Sequence, residues 1–208
     1  MRRDAAETRD RLLQAAEQLF ASRGVFATTL REITEAAGQR NASAVSYHFG
    51  SRAGLLEELL LRRGAPLDAQ RGEVLAGLGP EPGTRQLVGV LLTPLLGCLD
   101  SPSGRNYLRI VAQLSHQFAQ WRDETPFTGP NLEAVLDDLE HRPPGCPPAA
   151  RRERLIALMM LLSSVMAERA RQIDDAAPLP IDGHGFEANL ADMLVGIVEA
   201  PASVPSIT

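Results

Sequence analysis

Residues Thr28–Arg52 read TTLREITEAAGQRNASAVSYHFGSR. Thr29-x-x-Glu32 is a capping box, in which a hydroxyl and a carboxylate three residues apart satisfy orphan amides at a helix start. Leu30, Ile33 and Ala37 recur at i, i+3 and i+7, one face of a helix that Gly38 stops. Asn41 or Ser43 can cap a second short helix that runs to about Phe49 and ends at Gly50. Two short helices joined by a tight turn can place the second in the major groove of DNA. The groove demands small side chains, so that the backbone can approach, and hydrogen-bonding groups at the helix start. Asn41, Ala42, Ser43, Ala44 and Ser46 are small or polar, and Tyr47 and His48 can reach phosphates or base edges from the far end. Arg52 opens the next helix, where its guanidinium and the helix amides can meet one phosphate. With Thr28, Thr29 and Arg40 at the flanks, these residues form the candidate DNA-contacting set.

Upstream, Leu12, Ala16, Leu19 and Phe20 mark one face of an amphipathic helix over 7–23, stopped by Gly24. Downstream, Ser51 caps a fourth helix with Leu55, Leu56, Leu59 and Leu60 on its buried face, fading near Gly64-Ala65-Pro66. Three of these four helices can enclose a small core of Leu12, Leu19, Phe20, Phe26, Leu30, Ile33, Val45, Phe49 and Leu56. Residues 1–63 carry 10 Arg against 8 acidic residues, and residues 64–208 carry 11 against 18. A weakly basic head on an acidic body suits a DNA-reading module joined to a part that does not touch DNA. The net charge of −5 argues against a general nucleic-acid coat or an architectural binder.

The body reads as helical throughout. Thr84–Asp100 is apolar, with Pro94 predicting a kink or break near Leu91. Ser101-Pro102 starts a helix through Leu108, Leu114, Phe118 and Trp121, and Gly129-Pro130 opens another through Leu136 and Leu139. The run Pro143–Pro148 is a firm break. It precedes the longest helix, 149–174, and a last helix spans 186–199. The fold class is therefore all-α: a helix-turn-helix head over 1–50 and a larger helical domain over 51–208, with 51–63 as connector. Cys98 and Cys146 match no metal spacing, no cofactor motif is present, and two cysteines in 208 residues suit a reducing compartment. The start MRRDAAETRDR has no apolar region of the signal-peptide type. The longest apolar run, Leu87–Leu99, is too short to span a bilayer. A cytoplasmic protein that does not engage membranes is expected.

The stretch ETRDRLLQAAEQLFASRGVFATTLREITEAAG, followed by a variable turn and YHFGSRAGLLEELL, resembles the TetR family of bacterial transcriptional regulators in order and near-spacing. There is one departure. An extra residue between Gly38 and Phe49 puts Ser46 where the family has its phosphate-contacting tyrosine, with Tyr47 beside it. The resemblance implies a ligand-responsive repressor, released from a palindromic operator by a small molecule. It also implies a homodimer whose last two helices form a four-helix bundle with the partner, and an effector pocket among the middle helices. On this sequence the bundle maps to Leu155, Leu158, Leu162, Val165, Leu190 and Leu194. The pocket candidates are Arg109, His116, Phe118, Trp121, Phe127 and Met159. The alternative is a helical ligand-binding protein or enzyme that keeps an unused DNA-binding head. No paired catalytic constellation supports it: Asp137, Asp138 and Glu140 read as a solvated face, and His141 and His184 lie in or beside loops. No enzymatic activity is expected.

Overall fold

A computed structural model describes residues 2–39, 43–120 and 129–203. Among them every regular element is helical. In chain order these are α1 (Arg2–Arg23), α2 (Leu30–Ala36), α3 (Ala44–Phe49), α4 (Arg52–Ala76), α5 (Thr84–Gly97), α6 (Pro102–Leu114), α7 (Pro130–Glu140), α8 (Pro148–Asp174) and α9 (Gly183–Glu199). Short 3₁₀ turns continue α5 over Cys98–Asp100 and α6 over Ser115–Gln117. The chain is all-α, with a small N-terminal helical head and a larger helical body.

The apolar residues sort into two cores. The first gathers Leu12, Ala16, Phe20, Val25, Ile33, Val45, Leu55 and Leu59 from α1–α4. It also takes Ile110 and Leu114 from α6, so a body helix closes the head's core. Leu19, Leu30, Phe49 and Leu56 pack around it, partly buried. Phe26, expected inside, is 63% exposed and rests its ring 6.1 Å from that of His116. Val25 takes the inward position instead. Gly24 turns the chain with φ +106°, a conformation that costs little only without a Cβ. The Val25 amide then donates to the Gln113 Oε1 of α6 at 2.6 Å. The second core lies between α5, α7, α8 and α9 around Leu87, Leu91, Leu136, Leu158, Leu162 and Leu190.

Local rules fail at two prolines. The fourth helix does not fade near Pro66 but runs to Ala76. Proline removes one amide donor and crowds the preceding turn, yet the residues beyond it, Leu67, Asp68 and Arg71, are buried and held from outside. Likewise α5 passes Pro94 without the break expected near Leu91 and ends at Gly97, with Leu91, Leu92 and Pro94 itself buried. Beyond Leu114, α6 tightens into the 3₁₀ turn over Ser115–Gln117, and helical geometry resumes at Phe118.

The two terminal helices carry the apolar faces expected of them, but those faces are used within the chain. Leu155, Leu158, Leu162, Leu190 and Leu194 are each at most 2% exposed and close the second core, leaving no surface for a partner. Val165 packs half-buried against the same core. The expected interface leucines are therefore interior residues. The outward positions of α8 and α9 are taken by Ala157, Met160, Ser164, Ala188, Met193 and Gly196.

Candidate nucleic-acid interface and body cavity

The capping box forms as its spacing requires. Thr29 Oγ1 accepts from the Glu32 amide at 3.3 Å, and Glu32 Oε2 accepts from the Thr29 amide at 2.8 Å. These bonds from Thr29, with the nearby Arg23 adding less, hold the Glu32 carboxyl below the usual carboxylate range. Gly38 (φ +68°) and Gly50 (φ +72°) end α2 and α3 in the left-handed region, where a side chain would strain the backbone. Val45 is fully buried and Phe49, one turn on, is half-buried under the Arg9 guanidinium, 5.0 Å from its ring centroid. With 45 and 49 fixed inward, residues 43, 46 and 47 must face outward. Tyr47 is 82% exposed, its ring edge-on to His48 at 4.9 Å.

Of the candidate DNA contacts, Thr29, Ser43, Ser46 and Tyr47 are exposed, and Ala44 and His48 are half-buried. Ser43 holds the N-cap position of α3 without a side-chain cap bond. Arg40 and Asn41 lie outside the described residues. Two candidates are turned inward. Thr28 is buried, and its hydroxyl donates to the Gly24 carbonyl at 2.8 Å. Arg52 donates through Nε to the Thr28 carbonyl at 3.1 Å and lays its guanidinium over the Phe20 ring. Both fasten the loop before α2 to the head's core.

Head and body are tied at two seams. Along α4, Arg63 pairs with Glu17 and Arg62 with Asp10, both at 2.7 Å. Across α6, Gln113 accepts from the Val25 amide and donates through Nε2 to the Phe20 carbonyl at 3.0 Å. The stretch 51–63, expected as the connector, thus carries one of two ties between head and body. Nothing in the sequence near Gln113 signals this role, because its partners lie about ninety residues away.

The candidate effector residues are not brought to one cavity. Arg109 is ion-paired to Asp174. His116 is exposed beside Phe26. Phe118 is buried in the second core and Met159 packs against it. Trp121 and Phe127 lie outside the described residues. A different cavity, about 260 Å³, opens between α4, the end of α5 and the start of α6, lined by residues including Arg62, Arg63, Leu67, Pro94, Cys98 and Tyr107. Burial raises the Tyr107 phenol to about 12 and pushes the Cys98 thiol up as well.

Beside this cavity α4 carries two buried charged side chains. Asp68 caps α7 from outside: its carboxylate accepts from the Leu132 amide at 2.8 Å and from the Asn131 amide and Nδ2 at 3.2 and 3.1 Å. Gly129, at the N-cap of α7, allows this, since an added Cβ would sit 2.1 Å from Asp68 Cγ. Arg71, one turn on, is treated below. Sequence reasoning missed both because it ended the helix at Pro66. The signal was present, however, since the apolar spacing Leu55, Leu59, Leu67 continues to Val74 and Leu78.

Residues 12–59 match the model of the bacterial regulatory proteins of the tetR family. The HTH-type transcriptional regulator TtgR of Pseudomonas putida is 44% identical over 57 residues, 27% of either chain. The HTH-type transcriptional repressor KstR2 of Mycolicibacterium smegmatis is 46% identical over 55 residues, 26% of either chain. These matches span about a quarter of the length of the curated relatives. Over nearly the whole chain the fold is similar to that of NalD, the secondary repressor of the MexAB-OprM multidrug efflux pump in Pseudomonas aeruginosa. The TM-score is 0.58 at 25% identity, covering 91% of this chain and 96% of that one. Among the described residues no helix is long and apolar enough to cross a membrane. Residues 12–59, set at the front of an all-helical chain, are thus similar to the N-terminal part of the bacterial regulatory proteins of the tetR family, and the likeness over the rest of the chain is one of fold.

Proposed function

We propose that the chain is a transcriptional repressor that binds a palindromic operator as a homodimer and is released by a small molecule. The observation that carries this function is α3. Its inner side is locked by Val45 and Phe49, and its outer side offers Ser43, Ser46 and Tyr47 to a groove. The named relatives of the head are transcriptional regulators, one of them a repressor. Tyr47, rather than Ser46, is the residue long enough and exposed enough to reach phosphate.

Dimerisation is proposed on the outward stripe of α8 and α9, where Met160 and Met193 stand exposed among Ala157, Ser164, Ala188 and Gly196. Small residues there let two helix pairs approach closely, and a two-fold pair would match a palindrome. Ligand control is supported by the position of the 260 Å³ cavity. Its wall includes Arg62 and Arg63, the residues that tie α4 to α1. A ligand that moves either one shifts the head, and a coupling of about 1–3 kcal/mol changes operator occupancy appreciably.

A gel-shift with the DNA upstream of the protein's own gene tests the function. Salt-sensitive, sequence-specific retardation is expected. Absence of retardation on every palindrome in that region would instead favour a helical binding protein with an idle head. Met160→Glu should give a monomer by gel filtration without loss of helicity. A dimer that persists moves the interface off this stripe.

A further inference from the structure

Arg71 is a charged residue in a position where the helix calls for an apolar one. It lies four residues after buried Leu67 on the inner stripe of α4, followed by Val74 and Leu78, which pack on the second core. It is 6% exposed. Its Nε is buried without a hydrogen-bond partner, and among the described residues the guanidinium has no hydrogen bond and no ion pair. Of the acids near it on α4, Glu73 is exposed and Asp68 is committed to the start of α7 by its bonds to Asn131 and Leu132. A buried guanidinium without a counter-charge is costly, and the cost is relieved when an anion arrives.

The cavity between α4, α5 and α6 is suited to supply that anion. Leu67, one turn before Arg71 on the same stripe of α4, lines the cavity together with Gln70, Cys98 and Tyr107. The Tyr107 hydroxyl, like the Arg71 guanidinium, makes no hydrogen bond to any described residue. Burial keeps that phenol protonated and therefore a donor. No carboxylate is among the described residues that line the cavity, whose wall also carries Arg62 and Arg63 and whose apolar part is Leu67, Pro66 and Pro94. Arg71 is not itself in the wall but stands one turn beyond Leu67, which is. The Tyr107 donor, an apolar wall and the lack of a carboxylate among the described lining residues select one ligand chemistry. At about 260 Å³ the space is at the small end for ligand pockets.

We infer that the body takes up a small amphipathic anion, an organic acid with an apolar body, whose charged group is held by Arg71 and Tyr107. The inference deepens the effector-responsive function proposed for this chain and rests on it.

The test compares octanoate with octanamide, and benzoate with benzamide, by thermal shift and calorimetry on the full-length protein. A ligand that binds only the folded state raises its melting temperature. At least one of the two acids is expected to stabilise the wild type more than its amide does. Arg71→Met should lower that acid's affinity roughly ten-fold or more, the usual loss for a charge-assisted hydrogen bond, and leave amide binding in place. Arg71→Lys should restore part of the preference, and Tyr107→Phe should weaken the acid a few-fold. Without ligand, Arg71→Met should melt no lower than the wild type, because it removes an unpaired buried charge and keeps the volume. Should Arg71→Met misfold, the Tyr107→Phe and Arg71→Lys arms still decide. Acid and amide binding alike in the wild type, or acid affinity unchanged in Arg71→Met, overturns the inference. Failure of the regulator function reads differently: acid binding persists, and no palindrome is retarded in the gel-shift.

Discussion

The head and the body are built from the same helix-forming residues, yet they are held together in different ways. In the head each helix announces its own ends. Thr29 and Glu32 close a capping box, Gly38 and Gly50 stop α2 and α3, and Ser51 caps α4. In the body the decisive contacts cross long stretches of chain. Asp68 caps α7 from 63 residues away, and Gln113 grips the turn after α1 from 88. Where connections are short, local rules are enough to fix a structure. Where helices are long and interrupted by proline, distant partners decide whether a helix continues.

Ile110 sits in the body by sequence and in the head's core by packing, so its truncation is the severest test of that contrast. Ile110→Ala should destabilise the protein by about 2–5 kcal/mol, the range for emptying a buried aliphatic site. Amide exchange should rise in α1 and α2 as well as in α6. If only the body loses protection, the head folds without α6 and the two cores are independent. Asp68→Ala should cost about 1–3 kcal/mol by leaving the Asn131 and Leu132 amides buried without acceptors, with exchange rising at the start of α7. Asp68→Asn, which keeps one acceptor, should lose less.

The same contrast explains what could be read in the sequence. The four leading helices, their caps and the inward positions of Leu12, Phe20, Ile33 and Val45 follow from spacing alone. Phe26 did not follow, because whether Val25 or Phe26 turns inward is settled by Gln113. Arg52 at a helix start and Thr28 at the flank of the turn suggest DNA contacts by position, and the structure also uses both to fasten the loop before α2. In the terminal helices, periodicity correctly marked Leu158, Leu162 and Leu190 as apolar faces. It cannot say whether such a face meets the chain's own core or a second copy. The pocket candidates Arg109, His116, Phe118, Trp121, Phe127 and Met159 stand on helices that could face one cavity, whereas the cavity between α4, α5 and α6 is lined by Leu67, Cys98 and Tyr107 among others.

On the DNA side the contrast predicts a clean separation of binding from stability. Tyr47 is exposed and its neighbours Val45 and Phe49 hold α3 in place, so Tyr47→Ala should leave the melting temperature within the small range of surface changes. Operator affinity should fall roughly ten-fold, about 1.4 kcal/mol. Ser46→Ala should lose less. Equal losses for the two would mean that the recognition surface is centred nearer the start of α3.

The smallest effect concerns the capping box, the most local device in the molecule. Thr29→Ala removes the hydroxyl that accepts from the Glu32 amide, and loss of such a cap costs about 1 kcal/mol. It also removes the hydroxyl that donates to the Glu32 carboxylate at 2.8 Å. That carboxylate titrates lower in the folded chain than in the unfolded one. Its share of the stability is therefore present above the ordinary glutamate pKa and is lost as pH falls through the depressed folded value. The wild type should lose part of its advantage over Thr29→Ala, the share carried by the Glu32 carboxylate, as pH drops below the ordinary carboxylate range, while the difference stays flat above it. Urea melts of both proteins across that range measure it. A difference that does not change with pH would mean that the hydroxyl acts on the backbone alone, and that even this head relies on one bond fewer than its sequence advertises.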